Sequence, residues 1–250
     1  NFRSEQDGIF FGGVDTPDYK NIINERKCIF MKKSVEAHIR TLLQRYPELE
    51  SVKESIGEAF DVLAECYEKQ GKLLVAGNGG SAADSEHIVG ELMKSFVLDR
   101  RVEPGFASAL RSVDATLGEA LSNHLQGALP AIALDGHLAL TTAYMNDCEP
   151  LLCFAQQLYG YGKTGDVFLG ISTSGNSKNI LYAAVTARAK GMKVIGLTGE
   201  KESRLSAISD VCIRVPQSET YKVQELHLPI YHCLCLMLEE HFFRNGKDVL

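Results

Sequence analysis

Two polar, glycine-bearing turns, each joining an apolar strand to a helix, constrain this chain more than any other feature. The first runs Lys72-Leu-Leu-Val-Ala76, then Gly77-Asn-Gly-Gly-Ser81, then helical periodicity to about Ser95. The second runs Asp166-Val-Phe-Leu-Gly-Ile171, then Ser172-Thr-Ser-Gly-Asn-Ser177, then a helix over Lys178 to Lys190. Met192-Lys-Val-Ile-Gly-Leu197 and Val211-Cys-Ile-Arg-Val215 supply two further strands. Strands alternating with helices at this spacing predict an α/β fold, a parallel sheet with helices on both faces. Upstream, Val35, Ile39, Leu42 and Leu43, then Ile56, Phe60, Leu63 and Ala64, predict a helical hairpin over about 31–70 broken at Pro47. A last helix is predicted from about Leu228 to Phe243, with Pro229 in its first turn, where proline is tolerated.

Residues 97–128 show no clear element order beyond helical character at Arg111 to Leu125, and read as a surface excursion. Residues 1–30 are rich in Gly, Asp and Asn and lack periodicity. They read as a loosely attached extension ahead of a single domain over 31–250.

Composition narrows the function classes. At 45% hydrophobic and 23% charged residues the chain can bury a large core, which excludes a disordered class. Its 26 Lys+Arg against 32 Asp+Glu give a net charge of −6. With no basic run, nucleic acid is excluded as a phosphate-neutralised partner. An anionic ligand must be held locally, by amides and hydroxyls. Seven cysteines without a CxxC pair indicate neither a zinc ribbon nor a thioredoxin site, and fit a reduced, cytoplasmic compartment. The longest apolar stretch, Leu226 to Leu238, is interrupted by His227, Pro229 and His232 and is too short to span a membrane. No secretory leader is expected, since Arg3, Glu5 and Asp7 stand where an apolar run is needed.

The chemistry concentrates in the turns and in two polar clusters. Glycines let successive amides point into one concavity, a helix N-terminus adds partial positive charge, and Ser/Thr hydroxyls donate further hydrogen bonds. Together these bind a phosphate monoester without a basic side chain. Turn chemistry alone would also explain each loop singly. Gly77-Asn-Gly-Gly-Ser-Ala82 additionally fits a dinucleotide fingerprint, with Asp99 at the position of a ribose-binding acid. That reading leaves the STSGNS turn unexplained. His87 and Glu91 form an i,i+4 pair on the helix opening at Ser81, with Asp84 on the same side; a surface ion contact is the plain alternative. Gln224 and His232 flank the predicted start of the last helix. A continuous helix would separate them by about 12 Å along its axis, so a start near Leu228 is needed for Gln224 to fold back toward His232. A hydrogen-bonded core histidine is the alternative for His232.

GNGGSAADSEHIVGEL (77–92), GISTSGNSKNI (170–180), GMKVIGLTG (191–199) and VQELHLPIYH (223–232) together resemble the sugar isomerase (SIS) domain family, in its phosphoheptose isomerase branch. The likeness spans about residues 35–243. It implies a five-stranded parallel sheet in a flavodoxin-like sandwich and a homotetramer with active sites at subunit interfaces. It implies an aldose–ketose isomerase of sedoheptulose 7-phosphate in heptose and lipopolysaccharide synthesis. By the same resemblance, sugar phosphate is bound by Asn78, Gly79, Gly80 and Ser81, by Asn146 and Asp147, by Ser172, Thr173, Ser174 and Ser177, and by Gln224. Glu91 and His232 match the catalytic base and acid. His87, Glu91, Gln224 and His232 match positions that hold zinc in some members, which predicts about one zinc per subunit. The chain departs from the compact family pattern by almost 30 extra residues before Asn146, and in its Ala82–Glu86 stretch. The family also contains non-catalytic sugar-phosphate-binding regulators and protein adaptors, one of which binds a replication initiator; this is the alternative function.

Overall fold

A computed structural model describes residues 32–244; the extension expected over 1–30 lies outside the described residues. The sheet is wholly parallel, with strands β1 (Leu73–Ala76), β2 (Ala131–Ala133), β3 (Val167–Ile171), β4 (Lys193–Thr198) and β5 (Val211–Arg214) in the order β2-β1-β3-β4-β5. Leu74 pairs with Ile132 on one side and Phe168 on the other. Every residue of β1 and β3 is buried, as strands covered on both faces require. Alternate side chains then serve opposite cores. Leu74, Ala76, Phe168 and Val194 pack with α7 (Cys153–Tyr161), α8 (Lys178–Ala189) and α9 (Arg204–Ile208). The other face is covered by α2 (Lys53–Glu68), α3 (Gly80–Met93) and α10 (Thr220–Phe243), with α1 (Lys33–Arg45) laid against α10.

Four strands, the N-terminal hairpin and helices α3 and α8 lie where sequence pattern predicts them. Strand β2 went unlocated because three residues after Pro130 are too few to display a period. The last helix is a correction. It does not begin near Leu228 but runs unbroken from Thr220 to Phe243, with Pro229 inside it. Proline there removes one amide donor, yet Val223, Leu226, Ile230, Tyr231 and Leu234 are all buried. Burial along both sides of the break outweighs the missing bond. No helix of the described residues is long and apolar enough to cross a membrane.

The segment expected as an excursion contains two short helices, α4 (Pro104–Val113) and α5 (Ala115–His124). Asp114 separates them and caps α5, accepting from the Thr116 and Leu117 amides at 2.9 and 2.8 Å, so helix does not continue through from Arg111. An antiparallel bridge between Arg101 and Gln126 closes the neck, and Arg100 below it is 1% exposed. Because the bridge already holds the ends together, replacing 102–125 by a short Gly/Ser link should leave a cooperatively folding protein. Thermal unfolding followed by circular dichroism checks this; loss of a cooperative transition would place the hairpin in the core. Helix α6 (Leu138–Asp147), next in the chain, has no buried residue.

Candidate active site

The order β2-β1-β3-β4-β5 reverses direction between β1 and β3, and in open α/β sheets ligands bind at the carboxyl ends of the strands at that reversal. Both glycine-bearing turns stand there, one after β1 and one after β3. Each feeds a helix N-terminus, Gly80 for α3 and Lys178 for α8. The turns are tied together by a reciprocal amide pair: Asn78 Nδ2 donates to Asn179 Oδ1 at 3.1 Å, and Asn179 Nδ2 to Asn78 Oδ1 at 2.7 Å. Asn179 was not singled out from sequence, because a lone Asn in a first helical turn reads as ordinary cap chemistry.

In the first turn Gly79 has φ +57°, a left-handed conformation that favours glycine. A Cβ on Gly80 would lie 3.0 Å from Gln224 Nε2, so the Gln224 amide rests on the start of α3. Ser81 follows, 3% exposed. In the second turn Gly175 (φ +63°) bends the chain, and the Ser172 and Ser177 hydroxyls meet at 3.0 Å. Ser174 Oγ accepts from the Asn176 amide at 3.2 Å. Thr173 is half-buried and Ser174 exposed, which leaves hydroxyls and amides available around one mouth.

The charged side chains meet where α3 packs on α10. His87 Nε2 lies 3.2 Å from Glu91 Oε1 and 3.4 Å from His232 Nε2, while Lys94 Nζ approaches Glu91 Oε2 at 3.4 Å. His87 Nδ1 contacts the Tyr231 hydroxyl at 3.0 Å, and that hydroxyl donates to Asp84 Oδ1 at 3.1 Å. Burial, with the neighbouring His87, lowers the His232 pKa. Burial raises that of Asp84 against the Tyr231 hydrogen bond. His227 is fully buried, its Nε2 3.4 Å from the Thr198 carbonyl, and burial drives its pKa down to about 4. It is a neutral core histidine, outside this cluster.

Thus His87, Glu91 and His232 converge, and Gln224 sits apart at Gly80. On the continuous α10 the eight residue steps from Gln224 to His232 span about 12 Å of axis, so the expected fold-back of Gln224 does not occur. Asn146 and Asp147 end the exposed helix α6, and Asn146 bonds its neighbour Asp147 at 2.8 Å. Asp99, the acid of the dinucleotide reading, is exposed on the irregular segment after α3 and pairs with Arg101, away from the end of β2 where such an acid belongs.

Among the described residues no three His, Cys, Asp or Glu side chains stand ready as a metal cage. The donor chemistry nevertheless suits zinc. Bonds of 2.0–2.1 Å to a tetrahedral ion put neighbouring donors about 3.4 Å apart, close to the His87–His232 and His87–Glu91 separations. Two ring nitrogens facing each other and a carboxylate at these distances favour a cation or a proton between them.

A family model described as SIS domain matches residues 36–126 and 118–199. A phosphoheptose isomerase of Aneurinibacillus thermoaerophilus is 40% identical over 181 residues, 72% of this chain and 78% of that protein. One from Helicobacter pylori (strain P12) is 34% identical over 212 residues, 85% of this chain and 95% of that protein. Among solved structures, phosphoheptose isomerase GmhA from Neisseria gonorrhoeae superposes with TM-score 0.63 at 30% identity, covering 83% of this chain and 97% of that one.

Proposed function

The chain belongs to the SIS domain family, and from that premise we propose that it interconverts sedoheptulose 7-phosphate and D-glycero-D-manno-heptose 7-phosphate. It is an isomerase of sugar phosphates. The observation that carries the finer reading is the meeting of Glu91, His87 and His232 beside two phosphate-type turns at one end of the sheet.

Ketose-to-aldose conversion moves a proton between C1 and C2 through a cis-enediol. In our reading the Glu91 carboxylate takes the C1 proton while His232 donates to the carbonyl oxygen on C2. Protonated Glu91 then returns its proton to C2 of the enediol while the O1 hydroxyl gives its proton to the deprotonated His232, which leaves the aldehyde and restores both residues. The STSGNS hydroxyls and the α8 N-terminus hold the phosphate, and Asn78, Gly79, Gly80, Ser81 and Gln224 hold the sugar. Fixing the phosphate end lowers the barrier by converting binding into positioning. Asn146 and Asp147, on a helix without a buried residue, would complete the site in a homotetramer.

Zinc would be held by His87, Glu91 and His232, with Gln224, apart at Gly80, left to the sugar; when bound the ion would polarise the sugar carbonyl. Dialysed protein should retain about one zinc per subunit, more weakly below about pH 6, where histidines protonate. His87→Ala should lose most of it and His227→Ala little. Elemental analysis decides, and equal loss in both variants removes zinc from the reading.

The substrate is tested by incubating the purified protein with sedoheptulose 7-phosphate and following the aldose by NMR. Appearance of the heptose 7-phosphate is expected. Binding without turnover would assign the chain to the non-catalytic regulators instead.

A further inference from the structure

Tyr231 is 2% exposed and lies on α10 directly over α3. Its ring stands edge-on to both imidazoles, with centroids 5.5 Å from His87 at 74° and 5.0 Å from His232 at 84°. Its hydroxyl has one proton, donated to Asp84 Oδ1 at 3.1 Å. Toward His87 Nδ1, 3.0 Å away, the same oxygen can therefore only accept. That contact requires a hydrogen on Nδ1 and, in a neutral imidazole, leaves Nε2 bare. The hydrogen or cation shared with the Glu91 carboxylate 3.2 Å away is then supplied from the His232 side, whose Nε2 lies 3.4 Å from that of His87. We infer that Asp84 and Tyr231 are positioning residues that lock His87 in its Nδ1–H tautomer, aiming the Nε2 lone pair at the point between Glu91 and His232.

The consequence is chemical. Free imidazole side chains favour the opposite tautomer, whose Nε2–H would occupy the space between His87, Glu91 and His232. With the relay in place, His87 offers that space an electron pair, as a metal ligand or proton acceptor must. Asp84 sits one helical turn before His87 on α3, so the relay also ties the two helices that carry the cluster. The sequence showed Asp84 beside His87, but nothing local in it singles out Tyr231, whose partners lie 144 and 147 residues away.

The tautomer is read in metal-free protein labelled with 15N-histidine, at pH 8, from long-range proton–nitrogen correlations, with His87 identified by the signals lost in His87→Ala. Wild-type His87 should carry its hydrogen on Nδ1. Tyr231→Phe keeps the ring wall and removes the hydroxyl, so His87 should move to the Nε2–H form. Asp84→Asn retains an acceptor for the phenol and should largely preserve Nδ1–H, the rescue a merely structural role would not produce. Zinc affinity, measured by chelator competition and resting on the zinc reading above, should fall about 10- to 100-fold in Tyr231→Phe and less in Asp84→Asn. A wild-type Nε2–H tautomer, or a tautomer unchanged in Tyr231→Phe, overturns the inference. The expected tautomers with no zinc binding by the wild type overturn the zinc reading alone.

Discussion

Glu91→Gln should lower turnover by about 10²- to 10⁴-fold, the range that a positioned acid–base group contributes, while KM for the sugar phosphate changes little. The substitution keeps length and shape and removes only the basic carboxylate. Glu91 is 12% exposed at its side chain, with His87 3.2 Å from one oxygen and Lys94 3.4 Å from the other. A neutral amide can occupy the same space without repulsion, so fold and phosphate-end binding should survive. Loss in kcat and kcat/KM together marks an interaction made in the transition state, whereas a rise in KM alone would mark ordinary binding. Steady-state kinetics with sedoheptulose 7-phosphate, alongside a thermal midpoint within a few degrees of wild type, make the comparison. Turnover within about 10-fold of wild type would take the base role away from Glu91.

How far the sequence carried this site depends on the kind of interaction that builds each part. The turns were legible because glycine and hydroxyl residues between an apolar strand and a helix have local causes. His87 and Glu91 were legible because an i,i+4 pair is fixed by helix geometry alone. That His232 reaches His87 follows from the packing of α3 on α10, over a separation of 145 residues, and only the family resemblance suggested it. The start of α10 was misplaced because Pro229 is a strong local signal, and local signals cannot weigh the buried residues on both sides of it. Asn179, Tyr231 and Arg100 went unseen for the same reason: each gains its role from a partner far along the chain.

Glu239→Leu should destabilise the protein by about 3–5 kcal/mol, the cost of stranding a buried charge. Arg100 and Glu239 are 1% exposed each, joined by a 2.7 Å bond from Arg100 Nε to Glu239 Oε1. Glu239 also accepts from the Phe96 and Val97 amides at 2.8 and 2.9 Å. Arg100 donates to the Leu92 and Glu91 carbonyls at 2.9 and 3.0 Å, so it terminates the helix that carries the candidate base. Removing both charges with Arg100→Met and Glu239→Leu should recover only part of the loss, since two amides and two carbonyls still lose their partners. Burial alone would raise the Glu239 pKa, but the two amides and Arg100 together hold it below the ordinary carboxylate range. A depressed folded pKa stabilises above the unfolded value, and that contribution is lost as pH falls through the folded one. The gap between wild type and Glu239→Leu should therefore stay constant from about pH 6 to 8 and narrow below about pH 4. Urea unfolding across that range measures it. A gap under about 1 kcal/mol at pH 7 would mean that packing around Phe243, over which the Arg100 guanidinium lies at 4.7 Å, holds the neck of the hairpin without the ion pair.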